Sequence, residues 1–188
     1  MKLIDLKKIH KGKFLSYYEA IYENENHHQK RYEFISRNPS LTKETFGNNK
    51  PAGVGMVCFS MDKKKVLLEA EFRLACNRFV YNFPAGLIDE GETPAEAAKR
   101  EIKEETGVEI KEIIKELSPS YASQGTSDEL MVIVIAKCEG EIAKSCYEDE
   151  EIVAKWYDKE EVRKLLDEGA YMSVRTQMFL YQWVNEKE

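Results

Sequence analysis

The chain has 188 residues, of which 43% are hydrophobic and 33% are charged, a composition typical of a globular protein with a full core and not of a disordered chain. Its net charge of −6 and its pI near 5.3 argue against general binding of nucleic acid through phosphates. No apolar segment approaches the ~20 residues that span a bilayer, and the N-terminal residues lack the apolar run of a secretory signal. We therefore expect a cytoplasmic protein with no membrane partner, whose four scattered cysteines are free thiols.

The N-terminal region predicts a β-hairpin. KFLSYYEAIY (13–22) and KRYEFISR (30–37) are rich in aromatic and β-branched residues, which favour strands. The polar stretch ENENHHQK between them predicts the turn. We treat residues 1–50 as an N-terminal extension and residues 51–188 as the main domain.

The main domain alternates further strands with helices. The predicted strands are VGMVCFS (54–60), KVLLEAEFR (65–73), RFVYNF (78–83), LMVIVIAKCEG (130–140) and EIVAKWYD (151–158). Two helices are predicted near the C-terminus, over KEEVRKLLDEG (159–169) and SVRTQMFLYQWVNE (173–186). The fold class is α+β, with a mixed sheet between helices.

A third helix has the clearest boundaries. Thr93, Pro94 and Glu96 supply the N-cap, the N1 proline and the capping-box acid, and Gly107 supplies the C-terminal stop. These signals predict a helix over 94–106.

This helix carries an unfavourable set of like charges. At 100° per residue, Glu101, Glu104 and Glu105 lie beside the apolar stripe that contains Ala98 and Ile102, where carboxylates three or four positions apart repel each other. A divalent cation would turn that repulsion into attraction. The alternative is a solvated helix whose neighbouring lysines and arginine neutralise the acids.

The spacing of the whole segment favours the cation. Gly86, Glu92 after five more residues, and REIKEETGV from Arg100 after another seven match every fixed position of the Nudix box. The segments RYEFISR, EFR and FPAGLIDEGETP also resemble the ADP-ribose and ADP-sugar pyrophosphatase branch of the Nudix hydrolases. The resemblance implies a Nudix α/β/α sandwich with a mixed β-sheet, an N-terminal β-hairpin extension, and the box as a loop-helix-loop.

The resemblance also implies a metal centre. Glu101 and Glu105 would be the principal ligands of Mg²⁺, or of Mn²⁺ as a substitute, with help from Glu104 and the main-chain carbonyl of Ala85. Gly86 would let the backbone turn so that this carbonyl faces the metal. Glu92 and Arg100 would pair to brace the loop against the helix.

The catalytic base is expected in the acidic segment CYEDEEIV. Glu148, Glu150 and Glu151 are all candidates, with Glu150 preferred and Glu104 as a further catalytic carboxylate. Any of the three could instead bind metal or support a ligand, and the segment could also be a solvated acidic turn.

Substrate recognition is expected from the N-terminal region and from the strand that ends in EFR. Tyr32 would stack on the nucleobase, although a strand tyrosine without this resemblance would be read as packing. Arg37 and Arg73 would supply forked donors for the diphosphate or the terminal ribose, and Gly125 would border the substrate. Two departures from the branch stand out: Asn82 replaces a glutamate, and Gln124 stands where ADP-ribose hydrolases carry a proline.

The expected activity is Mg²⁺-dependent hydrolysis of a nucleoside diphosphate sugar, with ADP-ribose as the leading substrate and AMP and ribose 5-phosphate as products. A homodimer through the N-terminal region is expected. The alternatives are another Nudix substrate, such as a GDP-sugar, a UDP-sugar, NADH or an oxidised nucleoside triphosphate, and a non-catalytic nucleotide sensor.

Overall fold

The chain divides into two compact units in a computed structural model that describes residues 1–146 and 150–186. The first unit comprises Met1–Ala52 and Pro119–Met131, and the second comprises Gly53–Ser118 and Val132–Glu188. The second unit holds the helices found in these described ranges: α1 (Pro94–Thr106), α2 (Lys159–Asp167) and α3 (Val174–Asn185).

The first unit is built on an antiparallel sheet with the order β1 (Lys2–Lys11), β2 (Ser16–Glu23) and β3 (Gln29–Ser36). The predicted hairpin corresponds to β2 and β3. In the turn between them, the Asn24 side-chain oxygen accepts hydrogen bonds from the Asn26 and His28 N–H groups at 2.9 and 3.0 Å. Strand β1 was missed because KLIDLKKIHK is largely charged and none of its residues is fully buried, so its hydrophobic alternation is weak.

The core of the first unit is aromatic. Phe34 on β3 stacks on Tyr18 and on Phe46, with ring centroids 5.6 and 4.9 Å away. The Tyr18 hydroxyl donates a hydrogen bond to the Asn38 carbonyl at 2.8 Å. In the same unit, β9 (Ser120–Tyr121) pairs with Leu130 and Met131. The segment 119–131 is therefore part of the first unit although it is remote in sequence.

The second unit contains a large sheet with the strand order β11-β5-β4-β10-β8, in which β6 also pairs with β5 and β7 pairs with β4. The strands are β4 (Gly53–Ser60), β5 (Lys65–Arg73), β6 (Arg78–Asn82), β7 (Ala85–Leu87), β8 (Glu109–Glu116), β10 (Leu130–Glu139) and β11 (Ile152–Asp158). All five strands predicted for this region are present. Strand β8 was missed because EIKEIIKE is half charged and lacks a buried residue.

Helices cover both faces of this sheet. Alternate residues of the central strands point in opposite directions, so one face packs on α1 and the other on α2 and α3. The first face buries Val54, Met56, Leu67 and Val134 against Ala98 and Ile102, and the second buries Val57, Val66 and Leu68 against Val162, Leu180 and Trp183. The α+β class and the predicted sandwich are therefore confirmed.

The predicted limits of α1 are also confirmed. The Thr93 hydroxyl accepts from the Glu96 N–H, the Glu96 carboxylate accepts from the Thr93 N–H at 2.9 Å, and Gly107 closes the helix in the left-handed conformation with φ 75°. No helix in the described part of the chain is long and apolar enough to cross a membrane.

Candidate active site

Helix α1 presents its acidic side chains at the edge of its buried face. Ala98 and Ile102 are fully buried against the sheet, and Glu101 and Glu105 are each only 6% exposed. Glu104 is half-buried. Because four residues make slightly more than one helical turn, Glu101 and Glu105 follow each other along one line of the helix. The packing of the apolar stripe thus takes both carboxylates out of water.

Gly86 lies directly against one of these carboxylates. It sits in β7, opposite Val54 of β4, and a Cβ atom built on it would collide with the Glu101 carboxylate. The expectation that Gly86 provides a backbone turn is not what is seen, since its φ is not positive and the residue is in a strand. The glycine is needed because a side chain would occupy the space of Glu101.

Arg100 connects the box loop to the helix. Its guanidinium donates to both carboxylate oxygens of Glu92 at 2.9 and 2.8 Å and to the Leu87 carbonyl at 3.0 Å. It also donates to Glu101 at 2.8 Å and to Glu104 at 3.2 Å. These bonds lower the pKa of Glu92 to about 2, with Arg100 as the main cause, and raise the pKa of Arg100 well above its ordinary value.

A further buried carboxylate, Glu69, was missed by the sequence analysis. It lies on β5, is 2% exposed, and stands directly opposite Asn82 of β6. Burial is the main cause that raises the pKa of Glu69 to about 8 and the pKa of Glu105 to about 10, and neighbouring carboxylates add to both increases. One signal could have identified Glu69: a lone acid follows the apolar run VLL in the middle of a predicted strand.

The chemistry of this cluster fits a hard divalent cation. Glu69 Oε1 and Glu105 Oε2 are buried and have no hydrogen-bond partner among the described residues, and carboxylate oxygens are the ligands that Mg²⁺ and Mn²⁺ prefer. Within residues 1–146 and 150–186, no three His, Cys, Asp or Glu side chains are already arranged around a common ion position. These acids act on one another through their charges, but binding an ion would require their side chains to turn toward a common point.

The three candidate bases differ in how the structure treats them. Glu150 is exposed, and its charge lies close enough to Glu69 and Glu105 to raise the pKa of both. Glu151 is exposed as well, and its carbonyl accepts a hydrogen bond from the Phe72 N–H at 3.0 Å. Glu148 lies outside the described residues. Unlike Glu151, Glu150 is among the main charges that raise the pKa of the buried residues Glu69 and Glu105.

Three of the predicted substrate-binding residues lie in the first unit. The Tyr32 hydroxyl donates to the Gly125 carbonyl at 2.7 Å, and its ring is 38% exposed. Arg37 donates to Glu129 at 2.6 Å and lines a cavity of about 510 Å³ together with Asn48 and other polar residues. Tyr32 and Gly125 are thus brought together, while Arg37 is held by an acid of its own unit.

Arg73, at the end of β5, donates to both carboxylate oxygens of Glu71 at 2.6 and 2.7 Å. A substrate phosphate would compete with that carboxylate for the guanidinium. Gln124 is exposed and lies in the same turn as Gly125.

Comparison with known proteins gives a family match that covers more than half of the chain. The family model described as NUDIX domain matches residues 49–176, a range that contains α1 and all of the buried carboxylates described above.

Individual relatives match over shorter stretches. The ADP-ribose pyrophosphatase of Bacillus subtilis (strain 168) is 32% identical over 87 residues, which are 46% of this chain and 46% of that protein. The ADP-sugar pyrophosphatase of Mus musculus is 44% identical over 55 residues, or 29% of this chain and 24% of that protein. The chain thus spans less than half the length of these curated relatives. A solved structure titled "Crystal structure of ADP compounds hydrolase" superimposes with a TM-score of 0.71 at 20% identity, over 97% of this chain and 92% of the other, and supports the fold.

Proposed function

This chain belongs to the Nudix family, and we propose that it hydrolyses the pyrophosphate bond of a nucleoside diphosphate sugar, with ADP-ribose as the leading substrate. The observation that carries the proposal is the buried pair Glu101 and Glu105 on α1, with Glu101 against a glycine that admits no side chain. Repulsive, desolvated carboxylates are costly to a fold. A cation bound between these carboxylates and the diphosphate would offset that free-energy cost.

The proposed metal ligands are Glu101, Glu105 and Glu104, together with the Ala85 carbonyl. Bound Mg²⁺ would neutralise charge on the phosphate oxygens and lower the pKa of a water molecule. Arg100 fixes the position of Glu101 through a 2.8 Å hydrogen bond while it anchors the box loop through Glu92. The loop and the helix thereby keep a constant relative position, which hydrolysis in a fixed geometry requires.

In the proposed reaction, Glu150 takes a proton from the attacking water as the water oxygen bonds to one phosphorus atom. The bridging P–O bond then breaks, and the electrons leave with the second phosphate. From ADP-ribose the products are AMP and ribose 5-phosphate. Glu150 is preferred over Glu151 because its charge acts on both Glu69 and Glu105.

Recognition of the nucleoside is proposed for Tyr32, whose partly exposed ring is oriented by its bond to Gly125. The ring face can stack on a nucleobase. Arg37 and Arg73 are proposed to contact the phosphates or the terminal ribose after exchanging the carboxylates that they now hold, Glu129 and Glu71.

The test is release of nucleoside monophosphate from ADP-ribose, ADP-glucose, UDP-glucose, GDP-mannose, NADH and 8-oxo-dGTP, each with Mg²⁺ and with EDTA. We expect Mg²⁺-dependent turnover that is fastest for ADP-ribose. The Glu105→Gln variant should lose about a hundredfold or more of this turnover, because an amide is a poorer metal ligand than a carboxylate.

The matched control is Glu112→Gln, on an exposed carboxylate of β8 that pairs with Lys137. It should retain the wild-type rate. Faster turnover of another compound in the panel would replace ADP-ribose as substrate, and binding without turnover of any compound would replace hydrolysis with nucleotide sensing.

We also propose that the protein forms a homodimer through its first unit. That unit exposes several large apolar side chains, among them Ile9 at 53%, Phe14 at 70% and Leu15 at 43%, and exposed apolar residues are typical of association surfaces. Light scattering at micromolar concentration should give twice the mass of the chain, and a monomeric mass would refute the dimer.

A further inference from the structure

Three buried side-chain oxygens of the described residues have no hydrogen-bond partner: Glu69 Oε1, Asn82 Oδ1 and Glu105 Oε2. A buried acceptor without a donor costs free energy. All three belong to the second unit. All three are also oxygens of the hard type that binds Mg²⁺ or Mn²⁺. The shared chemistry suggests a shared ligand.

Two of these oxygens are brought together by strand register. Glu69 on β5 is the direct partner of Asn82 on β6, and side chains directly opposite each other in an antiparallel pair project from the same face with Cβ atoms about 5 Å apart. Glu69 is 98% buried, since its relative exposure is 2%.

The third oxygen adjoins this pair from the helix. The carboxyl groups of Glu69 and Glu105 interact at hydrogen-bonding range, and the charges of Glu71, Glu150 and Glu101, in that order, also act on Glu69. Glu69 forms no salt bridge within the described residues, and Arg73 on the same strand pairs with Glu71 instead. Arg100, the nearby cation, is bound by Glu92, Glu101 and Glu104 instead.

We propose that Glu69 is an additional metal ligand and that the Asn82 side-chain oxygen accompanies it, so that the cation site extends from α1 onto strands β5 and β6. The inference rests on the proposed metal-dependent function and deepens it. Asn82 stands where the resembling branch carries a glutamate, and in this chain a buried carboxyl group is present one strand away at Glu69. In this chain the carboxyl group is therefore moved from position 82 to position 69 and is not lost.

A purely structural role makes a different prediction. If Glu69 and Glu105 only share a proton as a buried pair, glutamine at position 69 can still donate to Glu105, and metal affinity will not change. If Glu69 binds the cation, the same substitution weakens metal binding whether or not substrate is present.

The experiment is titration of the whole protein with Mn²⁺, read by the electron paramagnetic resonance signal of the free ion, without substrate. For Glu69→Gln we expect a Kd about tenfold to a hundredfold higher than for the wild type. For Asn82→Asp we expect a lower Kd, because a charged ligand replaces a neutral one. Glu112→Gln serves as the control and should bind as the wild type does.

An exchange variant keeps the test independent of folding defects. Glu69→Asn combined with Asn82→Glu restores one carboxylate and one amide across the same strand pair, and its Kd should return toward the wild-type value. Thermal melting verifies that each variant is folded. Unchanged Mn²⁺ affinity in folded Glu69→Gln would overturn the inference and leave the proposed hydrolysis intact. A different outcome is also informative: the wild type binds Mn²⁺, Glu69→Gln binds it more weakly, and the wild type turns over no substrate. That outcome would support the inference and overturn the hydrolysis.

Discussion

Two pairs of acids, one pair in each unit, have opposite environments. In the first unit, Asp128 is 9% exposed and accepts a hydrogen bond from the Ser36 hydroxyl at 2.9 Å, and Glu129 holds Arg37 at 2.6 Å. In the second unit, Glu69 and Glu105 each keep a buried oxygen without a partner in the described part of the chain.

This contrast separates structural acids from candidate ligands. A buried carboxylate that accepts a hydrogen bond from another residue stabilises the folded state. A buried carboxylate without one destabilises the fold until a ligand arrives. Residue type alone does not distinguish structural acids from candidate ligands, because all four residues are acids on or next to strands or helices. What differs is the hydrogen-bond partner that each one has.

Gly86→Ala is expected to have a large effect, close to that of Glu105→Gln. The added methyl group would displace the Glu101 carboxylate, and we expect turnover to fall about a hundredfold because a small displacement of a catalytic group has that cost. Leu87→Ala, a change at an exposed neighbour in β7, is the control and should retain activity. Equal activity of the two variants would contradict the close approach of Glu101.

The contrast itself predicts stability changes of opposite sign. Without metal at neutral pH, Glu105→Gln should raise the free energy of unfolding by about 1–3 kcal/mol, because burial raises the pKa of Glu105 to about 10 and the carboxyl group must take up a proton to fold, whereas glutamine needs none. Asp128→Asn should lower it by about the same amount, because it weakens the bond to Ser36. Urea denaturation in EDTA measures both. A decrease for Glu105→Gln would show that this carboxylate has a stabilising partner and would break the comparison.

A smaller effect is expected at Tyr32, and it separates the ring from the hydroxyl. Tyr32→Leu removes the stacking surface and should raise KM for ADP-ribose about tenfold with little change in kcat, whereas Tyr32→Phe should change KM less than about twofold. Steady-state kinetics on both variants provide the measurement. Similar KM values for all three proteins would assign Tyr32 to packing through its Gly125 bond.

The smallest effect is the acid response of the Glu92–Arg100 pair. The folded-state pKa of Glu92 is lowered from 4.5 to about 2 by Arg100, so the pair contributes stability that is present above about pH 4.5 and is lost as the pH falls toward 2. The melting temperature of the wild type should therefore fall more steeply over this window than that of Glu92→Gln, by a few degrees at most because the pair is only partly buried. Parallel curves would show that the pair contributes nothing.

Local signals predicted the elements whose chemistry is local. Helix α1 has the predicted limits because its caps, Thr93 and Gly107, act within a few residues of the helix ends. The strands with apolar or aromatic runs were predicted for the same reason. Strands β1 and β8 were missed because most of their residues are charged or half-exposed, so their pairing depends on neighbours that are distant in sequence.

The candidate site divides along the same line. The sequence by itself determined the family, the box and the acids of α1, because these depend on spacing along one chain segment. The tertiary structure decided that Gly86 is required for space, that Asp128 is satisfied by Ser36, and that Glu69 meets Asn82 across two strands. The burial of a residue and its hydrogen-bond partners depend on contacts between segments that are distant in sequence. The sequence of one segment does not specify which residue of another segment will lie opposite.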